Sequence, residues 1–193
     1  MNENPSVKPG DEQLVALARN GDQKAFEELV ERHKQKAFHI AFDFTRDREA
    51  AKDLSQDAFL KAYTHLKSFD GRSGFYTWFY RILVNLCLDY KRRQQRHPAE
   101  SYEERIESGA EIKHQSDAVP MPEQQVIAGQ ISRRVDAALE ALPAKQRTAF
   151  ILRNHQGLSI REIAAMMESA EGTVKVHLHR AVMSLRQSLA EFA

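Results

Sequence analysis

Cysteine, proline and long apolar runs are scarce in this 193-residue chain, and each scarcity excludes something. The single cysteine, Cys87, rules out an intramolecular disulfide and any zinc site built on several thiolates. Only six prolines occur and none lies between Gly10 and Pro98, so no proline interrupts helices through the first half. The most apolar stretch, Phe75 to Leu88, is broken by Arg81 and falls short of the roughly 18–20 apolar residues of a membrane span. The opening MNENPSVKPG lacks a basic stretch leading into an apolar one, so no secretory signal is expected. What remains, 42% hydrophobic and 28% charged residues, describes a globular protein of one ordinary domain or two small ones. It is expected to be cytoplasmic, with no membrane insertion.

Net charge is also small, +1 overall, but it is unevenly placed. Residues 1–96 carry 17 basic and 14 acidic residues, a net of +3. Residues 97–122 carry 2 basic and 6 acidic, a net of −4, and residues 123–193 carry 9 and 7, a net of +2. Affinity for nucleic acid therefore has to come from local patches.

The proline-free span is rich in Ala, Leu, Glu, Lys and Gln, which lose little entropy in helices. After the turn Asn20-Gly21, Asp22 is placed to cap a helix whose Phe26, Leu29, Val30, Ala37, Ile40 and Ala41 follow a helical period. A turn over Thr45–Asp47 leads to a second stripe, Ala50, Leu54, Ala58, Ala62 and Leu66. Turn residues Asp70-Gly71 and Gly74 separate this from a helix over about residues 75–96. Residues 97–122 hold three of the six prolines and few large apolar residues, the composition of a linker, although an ordered surface loop has a similar one. Beyond it, Val126, Ile131, Val135, Leu139 and Leu142 pattern an amphipathic helix stopped by Pro143. A helix over Lys145–His155 ends at Gly157, Ser159 caps a short one, and Ser169 is placed to cap the last. TVKVHL at 173–178 alternates like a strand, but the series Val174, Leu178, Ala181, Val182, Leu185, Leu189 fits one helical face. The fold class is all-α: two small helical domains, 1–96 and 123–193, joined by a flexible acidic linker over 97–122.

Three patterns carry chemistry. LSIREIAA at 158–165, then a break, then EGTVK at 171–175 has the form of a helix-turn-helix, whose second helix presents its first residues to the major groove. With Val174 and Leu178 inward, Glu171, Thr173, Lys175, His177, His179 and Arg180 are free to face DNA or solvent. An ordinary helical hairpin is the duller alternative. Residues 69–90 hold seven of the sixteen aromatics, followed at once by Lys91, Arg92, Arg93 and Arg96. Such a mixture suits a single-strand binder, with stacking worth roughly 1–3 kcal/mol per base, yet aromatics at helical spacing also build cores, and composition leaves both open. Asp53 and Asp57 share one helical face. No third ligand or glycine-rich phosphate loop is near, so a polar surface for a basic partner, or a merely solvated one, is expected rather than catalysis. His177 and His179 diverge by about 200° on a helix, so no metal, cofactor or catalytic residue is expected. Cys87 sits among apolar residues as a core thiol.

Together the segments GDQKAFEELVERH, DLSQDAFLKAY, SFDGRSGFYTWFYRILVNLCLDY, LPAKQRTAFILR and GLSIREIAAMM with EGTVKVHLHRA resemble the extracytoplasmic-function sigma factors of bacterial RNA polymerase, of the sigma-E type. The resemblance implies a non-enzymatic initiation factor whose partners are core polymerase, promoter DNA and an anti-sigma factor. It implies that Asp53, Gln56, Asp57 and Phe59 contact core polymerase. It places Phe69, Arg72, Phe75, Trp78, Asn85, Lys91, Arg92 and Arg93 at the single-stranded −10 element, where held-out bases open the duplex without chemistry. It places Glu171, Thr173, Lys175, His177, His179 and Arg180 at the double-stranded −35 element. Many relatives carry Arg or Ser where this chain has Val176, His177 and His179, so the −35 sequence does not carry over. A self-sufficient helix-turn-helix regulator is the competing class, and the aromatic-basic segment speaks against it; a hydrolase built on the histidines is the third.

Overall fold

A computed structural model describes residues 9–96 and 133–190. Among these every regular element is helical, as the periodicities predict. Internal contacts divide the chain into two units, Met1–Gln95 and Arg96–Ala193. The expected linker, and the expected helical positions Val126 and Ile131, lie outside the described residues.

The first unit is built from α1 (Asp11–Arg19), α2 (Gln23–Thr45), α3 (Arg48–His65) and α4 (Phe75–Arg96), with a short 3-10 turn at Leu66–Ser68. Asp22 caps α2 by accepting from the Ala25 amide at 3.2 Å, and Asp47 caps α3 by accepting from the Ala50 amide at 3.0 Å. Each satisfies a donor that the first turn leaves unpaired. Arg46, between α2 and α3, adopts a left-handed φ of 56°, and its amide closes on the Phe42 carbonyl at 2.8 Å. The buried stripe of α2 (Phe26, Leu29, Ala37, Ile40, Ala41, Phe44) meets that of α3 (Ala51, Leu54, Ala58, Ala62). Phe75, Phe79, Tyr80 and Leu83 of α4 complete the core, with Phe79 stacked on Phe59 at 4.4 Å.

Asp11 fastens α1. One carboxylate oxygen lies 2.7 Å from His33 Nε2 and the other accepts from Arg32 at 3.2 Å. His33 is thereby seated among Phe75, Tyr76, Phe79 and Tyr80, with centroids 5.5–6.2 Å away.

In the second unit residues 133–140 form α5. It is followed by α6 (Ala144–Phe150), which widens into a π-turn over Ile151–His155, then α7 (Ile160–Met166) and α8 (Glu171–Ala190). Ala138, Leu139 and Leu142 pack with Ala181 and Leu185. Ile151, Leu152, Ile163, Met166 and Val174 are also buried. Gly157 sits at φ 67°, a left-handed turn that suits glycine.

Ser159 does cap α7: its Oγ accepts from the Glu162 amide at 3.2 Å, and the Glu162 carboxylate reaches back to the Ser159 amide at 2.8 Å. Ser159→Ala should cost about 1 kcal/mol, the usual value of such a cap, and lower the melting temperature by roughly 4–8 °C in a unit this small. Thermal unfolding of the purified variant checks this. The expected cap at Ser169 is not made. Its Oγ donates back to the Met167 carbonyl at 3.0 Å, and the Ala170 carbonyl opens α8 by accepting from Val174 at 3.1 Å. The tight turn, with Glu168 at φ 49°, turns the serine toward its own backbone.

Candidate nucleic-acid interface

α8 divides along its length. Val174, Ala181 and Leu185 are buried, while Glu171, Thr173, Lys175, His179 and Arg180 are exposed. The capped α7, the turn and the first two turns of α8 thus present a polar, partly basic helix start at the surface, the arrangement that suits a major groove.

His177 departs from the expectation. It is half-buried, and its Nδ1 is sealed from solvent with no hydrogen-bond partner. Burial, and then the charges of Lys145 and Arg180, lower its pKa below the usual histidine value. The signal was available in the sequence, since position 177 stands three residues from Val174 and four from Ala181, both inward. Lys145, exposed on the first turn of α6, belongs to this neighbourhood although sequence spacing did not point to it. Val176 is 46% exposed and adds an apolar contact beside Thr173 and Lys175.

The aromatic segment resolves into two groups. Phe69 and Phe75 are buried, at 6% and 2% exposure. Neither offers a free ring face in this conformation, because Phe75 packs on Phe79 at 5.8 Å and Phe69 on Trp78 at 4.9 Å. In this conformation the two rings pack within the first unit and support the 69–75 loop. Trp78 is half-buried and stays at the surface. Its position shares a helical face with Asn85 and Arg92, seven and fourteen residues on, both exposed. Arg93 is exposed and Lys91 half-buried; Arg92 pairs with Asp89. In the loop, Asp70 accepts from the Arg72 amide at 3.1 Å and pairs with its guanidinium at 3.2 Å. That turn, with Gly71 at φ 73°, holds Arg72 outward.

On α3, Asp53, Gln56 and Asp57 are exposed together on one face. Phe59 is not part of it. It is 9% exposed and stacked on Phe79, in the α3–α4 core. Leu60 and Tyr63, 63% and 50% exposed, extend the acidic face instead, four and seven residues beyond Gln56. Leu60 falls off the buried stripe of Leu54, Ala58 and Ala62, which the spacing alone discloses.

Burial pushes the Cys87 thiol up to about 12, leaving it protonated and inert. Among the described residues no group of three or more His, Cys, Asp or Glu is placed to hold a metal. None of the described helices is long and apolar enough to cross a membrane.

Comparison with known proteins covers both units. The family profile for sigma-70 region 2 matches residues 29–97, and that for sigma-70 region 4 matches residues 132–185. The ECF RNA polymerase sigma-E factor of Escherichia coli K12 is 39% identical over 176 residues, 89% of this chain and 90% of that protein. The RNA polymerase sigma-H factor of Pseudomonas aeruginosa is 34% identical over 182 residues, 93% of each chain. Among solved structures, CnrH in complex with the cytosolic domain of CnrY superposes with a TM-score of 0.68 at 25% identity, over 95% of this chain and 99% of that one. The sigma factor RpoE from Bartonella quintana, bound to the anti-sigma factor NepR, gives 0.61 at 26% identity, over 88% and 99%. With 34–39% identity to two sigma factors over about nine-tenths of each chain, and with the region 2 and region 4 profiles matched in order, the chain belongs to the extracytoplasmic-function sigma factors of the sigma-70 family.

Proposed function

We propose that this chain binds bacterial core RNA polymerase, directs it to promoters carrying −10 and −35 elements, opens the duplex and is held in check by an anti-sigma factor. The working division is 1–96 for polymerase binding and the −10 element, 97–122 as tether, and 123–193 for the −35 element. A fully extended 26-residue tether reaches at most about 85–95 Å, ample for two separate DNA contacts. The chain acts in the cytoplasm, where its polymerase is, and is not an enzyme: binding energy opens the DNA and no bond is made or broken.

The observation that carries this reading is the pairing of two unlike nucleic-acid surfaces in one chain. α8 offers Glu171, Thr173, Lys175, His179 and Arg180 from a capped helix-turn-helix, which suits duplex. The Trp78–Asn85–Arg92 face and Arg72 suit an unpaired strand, with an aromatic edge for a base and cations for its backbone. Phe69 and Phe75 serve by holding the loop that receives the base. On α3, the exposed Asp53, Gln56 and Asp57 meet a basic surface of polymerase, with Leu60 beside them. A stand-alone regulator has a use for the first of these surfaces and none for the second.

Run-off transcription with reconstituted holoenzyme tests the assignment. Lys175→Ala should lower initiation from a −35-dependent promoter by about 1–3 kcal/mol, roughly 5- to 150-fold, while core binding stays intact. Loss of core binding in that variant would refute the −35 assignment.

A further inference from the structure

The imidazole of His33 is held at a place where neither nucleic-acid surface calls for a histidine. Its side chain is 12% exposed and touches the start of α1 on one side and the start of α4 on the other. On the α1 side a carboxylate oxygen of Asp11 lies 2.7 Å from Nε2. A carboxylate oxygen only accepts, so the Nε2 proton points at Asp11 and fixes the plane of the ring. On the α4 side Nδ1 lies 3.4 Å from the Tyr80 hydroxyl, and the ring meets Phe75 with centroids 5.5 Å apart. Phe75 is the first residue of α4 and the end of the 69–75 loop. It packs in turn on Trp78 at 5.9 Å, and Trp78 packs on Phe69 at 4.9 Å. An unbroken line of contacts therefore runs from Asp11 through His33 to both ends of the loop. The far end of α1 reaches the same region. Arg19 donates to the Lys67 carbonyl at 3.4 Å, and α1 packs on the 3-10 turn that leads into the loop.

Anchoring α1 does not require this arrangement. Arg32 already donates to Asp11 at 3.2 Å and to Glu28 at 2.9 Å, and Leu14, Val15 and Ala18 are buried on the inner face of the helix. An apolar side chain at position 33 would fill the space among the aromatic rings with no polar group to desolvate. What the imidazole adds is a flat ring whose orientation is set by a carboxylate on another helix.

We infer that Asp11 and His33 are positioning residues for the −10 surface: Asp11 sets the plane of the His33 ring, and the ring sets Phe75, the 69–75 loop and the exposed part of Trp78. The inference rests on the reading of the Trp78–Asn85–Arg92 face as that surface and adds two residues that lie outside it. Neither touches DNA. Both act through Phe75, along a chain of packed side chains of the kind that carries coupling between sites. With the Asp11 carboxylate removed, the ring is free to leave its rotamer, and Phe75 and Trp78 lose the fixed surface behind them.

Trp78 is the single tryptophan of the chain, so its fluorescence reports on the loop without a label. In the folded full chain, Asp11→Ala should raise acrylamide quenching of Trp78 and shift its emission to the red. In holoenzyme reconstituted at saturating chain, the same variant should reduce promoter opening, read by permanganate, by roughly 2- to 30-fold. His33→Leu should reproduce both effects, and Asp11→Ala placed on top of it should add little, because the two residues act as one unit. Arg32→Gln, which cuts the other bond of Asp11 and spares that to His33, should keep the wild-type values of both. If Arg32→Gln moves both signals as Asp11→Ala does, α1 is merely anchored and the positioning role is overturned. It is equally overturned if Asp11→Ala leaves Trp78 and promoter opening unchanged. Trp78→Ala separates this from the reading beneath it. Normal opening in that variant overturns the −10 assignment of the face, whereas reduced opening there beside normal opening in Asp11→Ala overturns the positioning role alone.

Discussion

Asp57→Arg is expected to weaken assembly with core RNA polymerase by about 2–4 kcal/mol, roughly 30- to 1000-fold, with the fold intact. The side chain is exposed in the middle of α3, beside Asp53 and Gln56, and makes no hydrogen bond or ion pair among the described residues. Reversing its charge therefore removes nothing from the core. What it changes is the surface itself: an acidic face becomes mixed, and against a basic partner attraction becomes repulsion. Leu60→Ala on the same face removes apolar contact area without altering charge, so it should weaken assembly less and without salt dependence. Titration of labelled core polymerase with each variant separates the two. Unchanged affinity in Asp57→Arg would show that α3 turns a different face to polymerase.

Phe75→Ala should destabilise the first unit by about 3–5 kcal/mol, the range for deleting a buried phenylalanine. Its ring is 2% exposed and packs on Phe79, Trp78 and His33 with centroids 5.5–5.9 Å away. A domain of this size holds only about 5–15 kcal/mol in all, so much of the margin goes. Trp78→Ala, at a half-buried position, should cost less stability and depress open-complex formation in the folded protein. Denaturant unfolding and permanganate reactivity of the −10 strand measure the two quantities. If Phe75→Ala unfolds no more readily than wild type yet abolishes melting, Phe75 is a base contact after all and the core assignment fails.

The contrast between these two aromatics shows where the sequence was legible. Helix type, the two units and the caps at Asp22 and Ser159 follow from local pattern: period, polar residue before the first turn, absence of proline. A residue's fate inside a cluster does not. Composition left Phe69 and Phe75 open between core and interface, and the family resemblance alone pointed Phe69, Phe75 and Phe59 toward interfaces. They are buried because α2, α3 and α4 converge on them, a fact of tertiary packing that no short window contains. The half-burial of His177 was hidden for a subtler reason: it flanks the inward stripe of α8, and α8 packs against α6, more than twenty residues away. Ser169 had the right chemistry for a cap, but the left-handed turn at Glu168 spent its hydroxyl on the Met167 carbonyl. In the other direction, Leu60 was readable as an apolar residue off the buried stripe. Lys145 was not, since only packing brings it to α8.

The central claim is that this chain works through polymerase, and mixing the purified protein with bacterial core RNA polymerase addresses it most directly. Co-elution as a one-to-one complex on size-exclusion chromatography is the predicted result, lost in Asp57→Arg and kept in Lys175→Ala. A folded chain that never co-elutes, yet binds duplex as a homodimer without polymerase, would contradict the account and make it a self-sufficient helix-turn-helix regulator.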